Sequence, residues 1–204
     1  MATYPALFEA SSERWRLTGV TINGGVTVGG IAPRGLTDGG GLWVCEQIIP
    51  LPDPEHRKAA RALEVQMDGG ARSTVVPRFI GDDGPGGEWL IDIVFAEPAA
   101  LRATTATVSL NVSLPLIGGE AFSITHPTKG KRLYVVASAE DPVSGEQEIT
   151  FRPPLREAVT TEALDFQDVG CVMQLANPAD FIGAMDVTKL TEANAVWVES
   201  FDAL

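Results

Sequence analysis

Residues 39–70 read GGGLWVCEQIIPLPDPEHRKAARALEVQMDGG, and this stretch shows both periodicities from which the fold is built. Leu42–Leu51 is a long, largely apolar run behind three glycines, the pattern of a strand lying centrally in a sheet. Asp53 then supplies an N-cap, Pro54 the first helical position and Glu55 an acidic first turn, each matched to free N–H groups and the positive end of a helix dipole. Ala59, Ala60, Leu63 and Met67 recur at helical spacing, while Arg57, Lys58, Arg61 and Glu64 point elsewhere; Gly69-Gly70 ends the helix. A helix so patterned lies on a sheet.

Outward from this unit, the chain is β-rich. Its 21 glycines and 14 prolines fall between short runs of Val, Ile, Thr, Leu and aromatic residues. Upstream, Trp15–Ile22 and Val26–Ile31 read as strands joined by a tight turn at Asn23-Gly24-Gly25. Ser73–Ile80 reads as the strand after the helix. Gly81–Gly87 (GDDGPGG) holds no apolar residue and marks a crossing between domains. Beyond it, Trp89–Phe95, Ala103–Leu114, Ala121–Ile124, Arg132–Ala139 and Glu148–Arg152 are five short strands, which suggests a small closed or nearly closed barrel. Cys171–Ala176 and Ala195–Phe201 are further strands, with Val187–Asn194 a possible extended segment and 177–184 no more than a turn or short helix.

Composition narrows the functional classes. With 27 acidic and 15 basic side chains the net charge is −12, which repels a polyphosphate backbone and disfavours tight nucleic-acid binding. No run approaches the roughly 20 apolar residues of a membrane-spanning helix, and the N-terminus lacks a basic region followed by an apolar run. The two cysteines, Cys45 and Cys171, sit in apolar strand-like segments and read as buried thiols, with a disulfide open if their strands are neighbours.

A search for chemistry yields little. Gly-x-Ser-x-Gly is absent, and the Gly-Gly pairs fit neither dinucleotide nor phosphate-loop patterns, so they read as turn glycines. Asp82, Asp83 and Glu88 lack the alternating spacing of a calcium loop, and His56 and His126 lack zinc-ligand spacing. No metal or cofactor is expected. His126 reads as a polar turn residue and His56 as exposed or interfacial. In Arg152-Pro153-Pro154-Leu155-Arg156 the prolines hold two arginines apart, and two readings stand: an inter-subunit or inter-domain ion pair, or a rigid exit from a strand. Trp15, Trp43, Trp89 and Trp197 occur singly on strands; core packing is favoured over a sugar-binding platform.

Word-like strings carry a resemblance. Leu101-Arg102-Ala103-Thr104, Gly118-Gly119-Glu120-Ala121-Phe122-Ser123-Ile124, His126-Pro127-Thr128-Lys129-Gly130-Lys131-Arg132-Leu133-Tyr134, Arg152–Arg156, Cys171-Val172-Met173-Gln174-Leu175-Ala176 and Val198-Glu199-Ser200-Phe201 resemble, in order and spacing, the distal tail proteins of siphophages. The N-terminal half is similar in layout, whereas residues 1–38 and 81–100 match loosely. The resemblance implies a mainly β chain with one or two short helices: a β-sandwich belt domain (1–80 plus 168–204) carrying an inserted OB-like barrel (81–167). It implies no catalysis and no cofactor, but a homo-oligomeric ring, hexameric in that family, between the tail tube protein and the tail hub protein, with DNA passing through the lumen. Receptor-binding or host-surface components are further expected partners. Residues expected at or behind the ring contacts are Trp43, Glu46, His56, Arg57, Arg61, Glu64, Arg152, Arg156, Trp197 and Glu199. A carbohydrate-binding module is the alternative from another class.

Overall fold

The structure is a computed structural model and describes residues 1–23, 34–36, 39–78, 90–182 and 191–201. The expected strand Val26–Ile31, the crossing at Gly81–Gly87 with Asp82 and Asp83, and also Glu88 and Trp89 lie outside the described residues.

The opening stretch folds as its periodicity requires. Leu42–Leu51 is a ten-residue strand (β4), and Pro54–Gln66 is the α-helix (α1), capped by Asp53, whose carboxylate accepts the N–H groups of Glu55 and His56 at 2.9 and 3.0 Å. Ala60, Leu63 and Met67 are buried, and Cys45, Ile49 and Leu51 of β4 join the same core. Alternate residues of β4 thus face a common interior.

Around β4 stand Ser12–Thr18 (β1), Ser73–Pro77 (β5), Gly170–Leu175 (β12) and Thr191–Glu199 (β13), in the antiparallel order β1-β4-β13-β12-β5. Thr21–Asn23 (β2) pairs with Arg34–Leu36 (β3), and Gly24 and Gly25 of the expected turn lie outside the described residues. Cys45 and Cys171 are free and buried, on strands kept apart by β13, and this closes the disulfide question. Burial pushes the Cys171 thiol up to about 12 and the Cys45 thiol up as well, so both remain protonated and pack as small hydrophobes.

The second sheet has six strands in the order β11-β6-β7-β10-β9-β8: Ala163–Leu164 (β11), Ile93–Phe95 (β6), Thr105–Ser109 (β7), Glu146–Arg152 (β10), Gly130–Ala139 (β9) and Ala121–His126 (β8). Its two edges meet. Ser123 of β8 and Asp165, just past β11, exchange backbone hydrogen bonds of 2.8 and 2.9 Å, turning the sheet into a nearly closed barrel. Phe122, Tyr134 and Phe151 fill it, with Phe122 stacked on Tyr134 at 5.5 Å between ring centroids. Five strands were expected, and the sixth is the two-residue β11, too short to carry a periodic signal. The run expected as Ala103–Leu114 keeps only five strand residues, because the chain turns out of the sheet after Ser109.

The two sheets are joined where the chain crosses. Pro77 of β5 and Gly170 of β12 are register partners, and the N–H of Arg78 donates to Val169 O at 2.8 Å. Residues 78–169 are therefore an excursion whose ends are held side by side. Ser123 seals the junction: its hydroxyl donates to Gly170 O at 2.9 Å and accepts the Gly170 N–H at 2.8 Å.

Trp197 of β13 lies at the centre of the first core, fully buried, its indole N–H donating to Gln47 Oε1 at 3.0 Å. Trp197→Ala is expected to lower stability by about 3–5 kcal/mol, measured by urea unfolding followed by far-ultraviolet circular dichroism.

Candidate functional site

The densest constellation of buried charge lies between the barrel and the five-stranded sheet. At its centre is Glu199, the last residue of β13, whose side chain is 1% exposed. Arg156, from the turn after β10, grips it as a fork: Nε donates to Oε1 at 3.1 Å and Nη2 to Oε2 at 2.8 Å. The backbone N–H of Trp43 donates to Oε2 at 3.1 Å, and Arg132 Nη1, from β9, stands 3.6 Å from Oε1. One carboxylate is thus shared by two guanidiniums.

Each arginine also reaches backbone oxygens. Arg132 Nη1 donates to Ser200 O at 2.6 Å, and Arg156 donates to Gly41 O at 2.7 Å and to Gly39 O. The glycines are required by geometry. Gly40 and Gly41 have φ of 66° and 81°, and a Cβ on Gly40 would stand 2.0 Å from the Pro154 ring. The 39–41 turn can therefore lie flat against the Pro153-Pro154 corner and present its carbonyls to Arg156. The Phe201 ring lies 4.7 Å from the Arg132 guanidinium carbon and 5.1 Å from that of Arg156, adding cation–π attraction to both. Among the described residues, Nε and Nη2 of Arg132 have no hydrogen-bond partner.

A second buried polar group abuts this cluster. The Tyr134 hydroxyl accepts the Arg156 backbone N–H at 3.1 Å and lies 2.8 Å from His126 Nε2. The tautomer of the imidazole decides which of the two donates. His126 is 2% exposed, so the expectation of a polar turn residue is corrected: it ends β8 facing inward. Burial holds its pKa down to about 4; Arg132 also lowers it, while Glu157 and Glu162 pull upward. Burial likewise pushes the Tyr134 phenol well above its ordinary range.

The residues expected at ring contacts divide into two groups. Trp43, Trp197 and Glu199 are buried within the chain. Arg156 is half-buried and joins Glu199, so of the two readings of its string the ion pair holds, within one chain and between its two sheets. Arg152 is exposed and donates to Phe151 O at 2.8 Å. Glu46 pairs with Arg16 at 2.6 Å across β1 and β4, both about two-fifths exposed, an arrangement worth at most about 1 kcal/mol. His56 contacts the Asp53 cap at 2.8 Å, Arg57 reaches Leu51 O at 3.5 Å, and Arg61 is exposed on α1 with Glu64 half-buried. These helix residues are apart from the buried cluster.

Two participants escaped the sequence reading. Arg132 appeared only as the first residue of an expected strand and within a resembling string, and Gln47 only inside an apolar strand. Gln47 is 2% exposed and accepts from Trp197 and, at 3.2 Å, from the Tyr4 hydroxyl, while its amide donates to Glu13 and Pro77 O. The described tryptophans form no open platform: Trp43 and Trp197 are buried, and Trp15 packs edge-on to Trp43 at 6.3 Å. A groove of about 360 Å³ on the barrel is lined by Glu97, Glu148, alanines and threonines, with no aromatic residue.

No family model and no curated protein matches the chain.

Glu199→Gln removes the one carboxylate between two buried guanidiniums; a loss of about 3–5 kcal/mol is expected in urea unfolding, against under about 1 kcal/mol for Glu46→Gln. His126 gives a pH signature. Between its ordinary value of 6.5 and about 4 the unfolded chain holds a proton that the folded chain lacks. Stability is therefore complete above pH 6.5 and is lost as pH falls toward 4, with up to one proton's extra slope relative to His126→Gln. Identical slopes for the two proteins would refute the neutral buried ring.

Proposed function

We propose that the chain is a structural subunit of a bacteriophage tail tip, of the distal tail type, which closes into a sixfold ring between the tail tube protein and the tail hub protein. The observation that carries this reading is topological: a small barrel leaves and rejoins an open sheet at two register-paired neighbours, Pro77 and Gly170. That is the layout implied by the strings from Gly118 to Tyr134 and from Cys171 to Phe201.

The physical requirements of a ring support it further. Head-to-tail closure needs two unlike faces on one subunit. The five-stranded sheet has two unlike edges, β1 and β5, and the former is half-exposed along its length, while the N–H of Ala2 covers part of the latter through Ser73 O. Among the described residues the barrel's two edges meet through Ser123 and Asp165, which leaves less open edge than on the five-stranded sheet. In this reading the ring contacts belong to the sheet, with α1 and its Arg57, Arg61 and Glu64 beside them. The barrel hangs outside as a separate surface. The net charge of −12 suits a lumen through which DNA passes without being held. The role is one of assembly and not of catalysis, and its site of action is the distal end of the tail in the virion.

Sedimentation velocity and negative-stain imaging of the purified chain test this. Sixfold rings with a hollow axis are expected, at six times the chain mass of 21.6 kDa. A species that stays monomeric at every concentration, or a closed twofold dimer, would overturn it.

A further inference from the structure

We propose that the end of the barrel formed by residues 110–118 and 140–146 is a docking surface for a partner protein that presents an apolar segment flanked by lysine or arginine. The inference rests on the barrel alone and is independent of ring closure.

Four large apolar side chains stand out at this end: Val112 at 77% exposure, Leu114 at 52%, Ile117 at 85% and Val143 at 72%. Single exposed apolar residues are ordinary, but these share one rim, because β7 and β10 are paired and their connections emerge together. The two segments are also bound to each other. Leu110 N–H donates to Gly145 O at 2.9 Å, and the buried Gln147 bridges the rest: its amide donates to Leu116 O and Glu140 O, both at 2.8 Å, and its oxygen accepts the Leu116 N–H at 2.9 Å.

A second buried polar side chain braces the most exposed residue. Glu120, 7% exposed, accepts the N–H groups of Ile117 and Gly118 at 2.8 and 2.7 Å. Two buried polar groups therefore fix a backbone that carries the core residues Leu110 and Leu116 beside the exposed Val112, Leu114 and Ile117. Burying a glutamine and a carboxylate costs free energy, and part of what they hold in place, the exposed side chains of Val112, Leu114, Ile117 and Val143, is not used by the barrel core. The rim is thereby preorganised, so binding loses little conformational entropy.

Charge selects the occupant. No lysine or arginine occurs in residues 103–128 or 133–151, whereas Glu140, Asp141 and Glu146 are exposed on the same turn as Val143. An apolar patch rimmed by carboxylates complements apolar side chains flanked by cations. It repels an anionic lipid surface, and a second copy meeting it face to face would place acid against acid.

The test uses the full chain and a fluorescein-labelled peptide of alternating leucine and lysine, followed by anisotropy at physiological ionic strength. Saturable binding is expected, weakened about tenfold or more when the peptide's leucines become serine or its lysines glutamate. Val112→Asp with Ile117→Asp should weaken it comparably, whereas Val65→Asp on α1, at a residue 74% exposed, should leave it unchanged. The milder pair Ile117→Ser and Val143→Ser provides the same readout with less perturbation of the loops. Asp141→Lys with Glu146→Lys should transfer preference to the leucine–glutamate peptide. Equal binding of the serine–lysine peptide, or affinity indifferent to the rim variants, overturns the proposal. So does rim-dependent binding to phosphatidylcholine vesicles, which would assign the patch to lipid, or rim-dependent dimerisation of the chain, which would assign it to a second copy.

Discussion

A carboxylate taken out of water must be surrounded by cations and donors, and Glu199 draws its own from both halves of the molecule. Arg156 comes from the turn after β10, Arg132 from β9 and the Trp43 N–H from β4. The desolvation of such a group amounts to several kcal/mol unless its oxygens are met with good geometry. The barrel and the sheet must therefore meet in one orientation to satisfy it. Phe201 over both guanidiniums and the carbonyls of Gly39 and Gly41 complete the same demand from the other side.

From that junction follows an asymmetry between the two sheets. The barrel spends its edge hydrogen bonds on itself through Ser123 and Asp165, while the five-stranded sheet leaves β1 and β5 as its borders. Edge-to-edge association is a property of open sheets. In the ring proposed above, self-association would fall to the first sheet and the barrel would be left for different contacts. Rigid attachment would matter to the proposed ring, because a ring sums any angular slack over all of its subunits.

Much of the architecture was legible because it is local. The cap at Asp53, the proline after it and the stripe Ala60, Leu63 and Met67 specify α1 within a few residues of chain, and α1 forms where they place it. β10 was readable for the same reason, since its alternating burial writes a period of two into the chain, while runs of Val, Ile, Thr and aromatic residues between turn clusters marked the other barrel strands. His126 misled because a histidine beside proline and a basic turn looks solvated, and only the fold reveals the Tyr134 hydroxyl opposite it.

The candidate site was legible in part. The string from Arg152 to Arg156 announced a rigidly held arginine and Val198–Phe201 a distinctive chain end, but nothing in either identifies the other as its partner, 43 residues away. Gln47, Ser123, Glu120 and Gln147 carry no local signature at all: each is one polar letter in an otherwise ordinary run, and its role arises from groups brought to it by distant segments. The sequence alone determined the β-rich class, the one helix, the positions of most strands and the acidic character, since these depend on neighbours along the chain. Only the tertiary structure decided which strands adjoin, that Trp197 and Glu199 lie inside and not at a surface, and that two arginines share one carboxylate. A hydrogen bond or a buried charge is satisfied through space, and the sequence distance between its partners sets no limit on which groups those are.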